Sequence, residues 1–222
     1  LEGEKGLVRA ISPNGDIDAL TRGLGIEHHR IMGNALKPYA CCRHTHSAIT
    51  AVEEILKEQP IEVAEIEEVV DYTYQVAIDT TDSAHPSTPY GHKFSLQYCI
   101  AAAFVYETMM EDTFSEEKIE GRIVKHLMGK VKVIEDKELT KINNEEPDQW
   151  PHRVVVKMKN GETLSKEISY PLGDPKNPFD WDKVDNKFLQ LTGTILSKEK
   201  VERLIENIHN LEQNEDISEI FE

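Results

Sequence analysis

Apolar residues along this chain alternate between two periods, and the changes of period outline its elements. Ile49, Val52, Ile55 and Leu56 recur at helical spacing, which predicts an amphipathic helix over 45–57, stopped by Pro60. Ile66, Val69, Tyr72, Tyr74, Val76 and Ile78 stand in rough alternation with polar residues. They are β-branched or aromatic, so 65–78 reads as one long strand. Asp, Ser, Thr, Pro and Gly crowd 79–91, which reads as a loop. An apolar run around Ala101-Ala102-Ala103 predicts a buried helix over 94–110, able to approach a neighbour closely. Ser115 suits the N-cap of a further helix reaching Met128, with Glu116 and Glu117 in its first turn.

Three extended segments follow, over 131–136, 152–158 and 163–170. The last two flank Asn160-Gly161, a hairpin signal because both residue types tolerate positive φ. Polar 141–150 reads as a mobile loop, and 171–180, rich in proline, as a linker. Helices are expected over 181–191 and 197–213, the second with Val201, Leu204, Ile205, Ile208 and Leu211 on one face. The acidic tail 214–222 should fray. Towards the start, 16–24 suits a short helix and 31–39 an extended segment that delivers Lys37. The fold class is α+β: a sheet with helices on one face, followed by C-terminal helices.

Composition narrows the partners. With 25 basic and 41 acidic residues the net charge is −16, which argues against nucleic acid or an anionic membrane surface as partner. The longest strongly apolar run, 99–106, is too short to span a bilayer. The three cysteines, Cys41, Cys42 and Cys99, are odd in number and two are adjacent, so they do not form a disulfide framework. A soluble protein of the reducing cytoplasm is expected.

Against that acidity, one segment concentrates cations. Lys37-Pro38-Tyr39-Ala40-Cys41-Cys42-Arg43-His44-Thr45-His46 leads straight into the first amphipathic helix. A lysine, an arginine and two histidines at a helix N-terminus suit a carboxylated small molecule. Lys37 offers a compact point charge and Arg43 a planar fork for a carboxylate. His46 can transfer protons near neutral pH, with a packing role weighing equally; His44 has weaker standing. Tyr98, one turn after Ser95, can present a phenol to a cleft or simply pack in the core. His85, in a Pro-rich loop, could close over a ligand or stand exposed. Cys41, Cys42, His44 and His46 have poor spacing for zinc, and no metal site is expected. Cys42 as a nucleophile is equally weak, since most buried thiols are inert.

The motif Lys37-Pro-Tyr-x-Cys-Cys-Arg-x-x-His46, with Ala51, resembles the MmgE/PrpD family. Three further blocks agree in order: Leu1-Glu2-Gly3-x-x-Gly6; Lys93-Phe94-Ser95-Leu96-Gln97-Tyr98 running into Cys99-Ile-Ala-Ala-Ala103; and Asp174-Pro175-x-Asn177-Pro178 with Trp181-Asp182 and Lys187-Phe188. The resemblance covers nearly the whole chain but only the C-terminal half of the family's length. It therefore implies a fragment that opens in mid-protein on Leu1, lacking a helical half that supplies other active-site groups. It implies the end of a helical-domain segment over 1–30, an α+β lid domain over 31–171, and returning helices of the helical domain over 172–222. Homodimerisation is the family's usual arrangement.

For chemistry, the resemblance implies a cofactor-independent lyase that dehydrates a tricarboxylic acid such as 2-methylcitrate. Lys37, His46 and Tyr98 would be catalytic; Arg43, Cys42, Ser95 and His85 would bind substrate. No iron–sulfur ligand set is spaced along this sequence. The family's decarboxylases carry a histidine where Cys42 stands, which argues against that branch; Ser47 and Thr50 replace a commoner proline and aspartate and leave the substrate open. An epimerase of a small dicarboxylic acid uses the same proton abstraction. From another class, a noncatalytic binding or assembly subunit would also fit a chain without the N-terminal half.

Overall fold

The computed structural model describes residues 30–106, 108–213 and 216–221, together with Gly3, 6–11, Asp18 and 21–26. The chain separates into two compact units, 1–34 and 35–222. In the first, a short helix α1 (Leu7–Ile11) and a 3-10 turn (Arg30–Gly33) are described. The helix expected over 16–24 lies largely outside the described residues. The 3-10 turn replaces the start of the extended segment expected from 31.

The second unit is built on helix α2 (His46–Glu58) and a four-stranded sheet. Strand β1 (Ile66–Thr73) runs into helices α3 (Gln75–Thr81), α4 (Pro89–His92), α5 (Leu96–Val105), α6 (Glu116–Ile119) and α7 (Arg122–Met128) before the chain returns in β2 (Val131–Glu135). Helix α8 (Lys137–Glu145) then leads to β3 (His152–Met158) and β4 (Thr163–Ile168), and α9 (Trp181–Thr192) and α10 (Lys198–His209) follow. The sheet order is β2-β1-β3-β4, with β1 parallel to β2 and antiparallel to β3. The fold is α+β, as the period changes predict.

One face of the sheet carries the core. Val69 lies opposite Val156, and Asp71 opposite Val154; these residues are fully buried. Helix α2 packs over β3 and β4, α5 lies beside it, and α7 packs on α5. The first two turns of α2 are buried on every side because α5 and the sheet enclose them. On the opposite face, Glu68 bridges Lys132 and Lys157, and Arg153 lies over the Tyr72 ring.

Several elements differ from the sequence expectation. The strand expected over 65–78 stops at Thr73, and Val76 and Ile78 belong to α3. A distant cap favours the helix: Gln75 N–H donates to Thr140 Oγ1 on α8 at 3.0 Å. Helix α8 occupies the start of the supposed mobile loop because the Asp136 side chain caps it and Leu139 is buried. The supposed loop over 79–91 is shortened by α3 and by α4, which Thr88 caps. Helix α5 ends at Val105, short of 110, and the helix over 115–128 breaks at Gly121. A Cβ there would lie 2.7 Å from the Tyr106 hydroxyl, so only glycine fits the crossing. In the hairpin only Gly161 takes positive φ, at 88°. The tail does not simply fray: Ile217–Phe221 forms a 3-10 helix, and Ile220 is buried. It packs on α10, whose Val201 and Leu204 are buried while Ile208, and Leu211 just beyond the helix, remain exposed.

The segment expected to be a linker over 171–180 is ordered and joins the motif. Leu36 N–H donates to Gly173 O at 2.8 Å, and Gly173 N–H to Asn177 O at 2.8 Å. Gly173 has φ of 86°, and a Cβ there would fall 2.0 Å from Leu36 O. Both clashing atoms are fixed by backbone, so neither side can yield cheaply. Gly173→Ala should cost at least about 2 kcal/mol in urea denaturation, combining left-handed strain and overpacking. A change below a few tenths would show that the loop is not held in this turn.

Candidate active site

Backbone contacts hold the motif segment in place from two sides. Ala40 N–H donates to Met109 O and Cys42 N–H to Lys93 O, each at 2.9 Å. From α9, Lys187 Nζ donates to Lys37 O at 2.5 Å. Between this segment and the α4–α5 junction lies a cavity of about 360 Å3, lined by Lys37, Cys41, Cys42, Tyr90, Lys93 and Glu111 among others. Lys37 is exposed at it, and its Nζ donates to Cys41 O at 3.3 Å; among the described residues it has no carboxylate partner. Lys93 by contrast is tied to both oxygens of Glu111. Cys42 is half-buried, and burial raises its thiol.

Beyond Cys42 the chain makes one 3-10 turn, Arg43–Thr45, and enters α2. Thr45, His46 and Ser47 are buried. The helix thus begins inside the core, and its first turn does not stand open to an anion as its sequence suggests. His46 is 1% exposed, donates Nε2–H to Cys41 O at 3.3 Å, and meets the Tyr39 ring edge-on. Cys41 and Cys99 sit beside it. Burial raises both thiols, but hydrogen bonds from Cys99 and His46 outweigh it at Cys41, which is lowered.

The remaining candidates are dispersed. Arg43 pairs with Asp174 at 2.7 Å and lies over the Trp150 ring, which ties the motif to the 171–180 turn. Ser95 caps α5, accepting from Tyr98 N–H at 3.1 Å and donating to Ser83 O. His85 is exposed on a separate cavity of about 460 Å3 with Ser87, His92 and Lys125. Tyr98 is fully buried between His92 and Phe114, and its hydroxyl donates to Thr113 O. Burial raises its phenol. Lys37 and Cys42 therefore share a cavity; Tyr98, Ser95 and His85 do not line it.

Removing the Tyr98 hydroxyl leaves Thr113 O without this donor. Tyr98→Phe should lower stability by about 1 kcal/mol. A rate loss of roughly 10²–10⁴ in the complete protein gives the hydroxyl the general-acid role that the resemblance implies, and full activity leaves Tyr98 a packing residue.

Sequence reasoning missed the polar groups that lie behind the motif. Asp71 on β1 and His152 on β3 are both fully buried, with Nδ1 2.9 Å from Asp71 Oδ2. Next to them, Tyr74 OH lies 2.6 Å from His44 Nδ1, and the Trp150 ring lies 4.7 Å from the His44 ring, tilted at 49°. Burial, then the nearby His152 charge, lowers His44 to about 4. Lys93 and Tyr90 at the cavity were also overlooked. Asp71 could have been found, since it shares the buried phase of β1 with Val69 and Thr73.

An α+β domain thus carries a cation at a small cavity, on a motif loop held by Lys93, Met109 and α9. The chain belongs to the MmgE/PrpD family: the sequence model described as MmgE/PrpD C-terminal domain matches residues 39–213. It is similar to the cis-aconitate decarboxylase-like protein oryM of Aspergillus oryzae, 25% identical over 201 residues, covering 84% of this chain and 39% of that protein. It is likewise similar to a cis-aconitate decarboxylase of Aspergillus terreus, 24% identical over 204 residues, with coverage of 84% and 39%. The chain spans well under half the length of these relatives.

Proposed function

We propose that this chain is the C-terminal part of a lyase acting on a small polycarboxylic acid, dehydrating a tricarboxylate such as 2-methylcitrate without a cofactor. The observation that supports this best is Lys37, a cation at a cavity without a carboxylate partner among the described residues, in a chain whose net charge is −16. Dehydration next to a carboxylate needs a base for the carbon-bound proton, an acid for the departing hydroxyl, and cations that hold the carboxylates as charge develops. Lys37 suits the last role. His46 and Tyr98 are the proton-transfer candidates, and both would have to reach substrate from buried positions. Arg43, Cys42, Ser95 and His85 are proposed for binding.

A second reading, decarboxylation of cis-aconitate, is favoured by the names of the two relatives. Cys42, where that branch carries histidine, favours dehydration. The domain division proposed is a helical segment over 1–30, a lid over 31–171 and helices of the helical domain from 172. Exposed Leu189, Ile208 and Leu211 on α9 and beyond suit burial against that domain in a homodimer of the cytoplasm.

The complete protein, incubated with 2-methylcitrate, citrate and cis-aconitate, with and without chelator, decides between them. Loss of water from 2-methylcitrate without carbon dioxide release is expected. Carbon dioxide from cis-aconitate establishes the second reading, deuterium exchange without net water loss an epimerase. Inactivity on every acid removes the lyase assignment.

A further inference from the structure

The cavity at the motif holds a second ammonium besides Lys37, and a carboxylate already sits on it. Lys93 lines the same cavity of about 360 Å3. Its Nζ donates to Glu111 Oε1 at 2.7 Å and to Oε2 at 2.6 Å, and lies 5.5 Å from the centre of the Phe114 ring. This is an ammonium gripping a carboxylate by both oxygens, with an aromatic face behind it.

Two backbone hydrogen bonds bring the walls of the cavity together. Cys42 N–H donates to Lys93 O, which ties the second lysine to the loop that carries Lys37. Ala40 N–H donates to Met109 O, two residues before Glu111, the residue that opens the 3-10 turn Glu111–Phe114. The backbones of Lys37, Lys93 and Glu111 are thus held around one space. Cys42 adds no charge there, since burial raises its thiol.

The two ends of the ion pair are held very differently. The Lys93 side chain is 18% exposed and that of Glu111 is 73% exposed. A carboxylate standing so far in water keeps most of its hydration when it lets go, and such pairs hold weakly. Lys93, packed against the Phe114 ring, stays at the cavity whether Glu111 is on it or not. With Glu111 in place the three groups sum to one positive charge; with Glu111 in solvent the cavity offers two.

We propose that Lys93 is a second carboxylate subsite beside Lys37, and that Glu111 is a placeholder carboxylate which the bound acid displaces. The proposal rests on the lyase reading and deepens it: the site takes an acid with two carboxylates, one for each lysine. A monocarboxylate can meet Lys37 or replace Glu111 but cannot do both, so the pair of lysines selects polycarboxylates.

A placeholder and a structural ion pair differ in sign. Removing either end of a structural pair does the same harm, whereas removing a placeholder helps the ligand. In the complete protein, binding is read by calorimetry with propane-1,2,3-tricarboxylate, which lacks the hydroxyl that dehydration removes, and as KM for any acid turned over. Lys93→Gln should weaken binding about 10–100-fold, and Lys93→Arg should recover part of the loss. Glu111→Gln should tighten binding about threefold, because no internal carboxylate competes. Were Lys93→Gln to lose its fold, the sign of the Glu111→Gln effect alone decides. Weaker or unchanged binding in Glu111→Gln, or unchanged binding in a folded Lys93→Gln, would overturn the subsite; turnover by the native protein would then leave the lyase reading standing. Opposite shifts in a protein that turns over no acid would keep the subsite and overturn the lyase reading. A native protein that neither binds nor converts a polycarboxylate would overturn both.

Discussion

Asp71→Ala should be among the most damaging single changes in the fold, costing about 3–5 kcal/mol in urea denaturation. Asp71 accepts from His152 within 3.0 Å at a point in the sheet that water does not reach. Without the carboxylate, the His152 ring is left with a buried nitrogen that has lost its partner, while a cavity opens in the core. Replacing both residues by apolar ones of similar size should recover much of the loss, because the expense lies in the orphaned partner. Glu68 gives the contrast. It bridges Lys132 and Lys157 on the open face of the sheet, so its removal should change stability little. If Asp71→Ala unfolds no more readily than the native chain, the Asp71–His152 contact does not hold the fold.

The sequence made the regular, locally determined parts of this fold legible. Helix α2 and strands β3 and β4 follow from spacing of apolar residues alone, and the hairpin from Gly161. What it did not show depends on distant partners. Residues 74–78 alternate like a strand, yet α3 wins because Thr140, far along the chain, satisfies its first free N–H. Residues 137–145 are polar, yet form a helix because Leu139 finds a buried place. Tyr98 and His46 sit inside matching motifs, and their burial cannot be read from those motifs. Asp71 and His152 share the phase of Val69 and Val154 on their strands, so a buried acid and a buried base were visible singly. Their pairing needed the register of β1 against β3.

Lys37→Ala should produce the largest loss of function at least structural cost. The residue is exposed, so truncation removes little buried surface, and the chain should unfold within about 0.5 kcal/mol of the native midpoint. Its ammonium touches one carbonyl, Cys41 O, while its own carbonyl is gripped by Lys187 from α9. The backbone is thus fixed and the charge left over. In so acidic a chain, a cation without a carboxylate partner among the described residues invites an anion from outside. If that anion is a substrate carboxylate beside the carbon losing its proton, the ammonium gains strength as charge develops. kcat/KM in the complete protein should then fall about 10²–10³-fold, with kcat carrying part of the loss. Lys37→Arg keeps charge but replaces a compact head with a broad fork, and should recover binding more than rate. A change confined to KM would make Lys37 a ground-state binder only. An unchanged kcat/KM would place the substrate elsewhere, and Lys37 would then be an ordinary surface lysine beside an unused cavity.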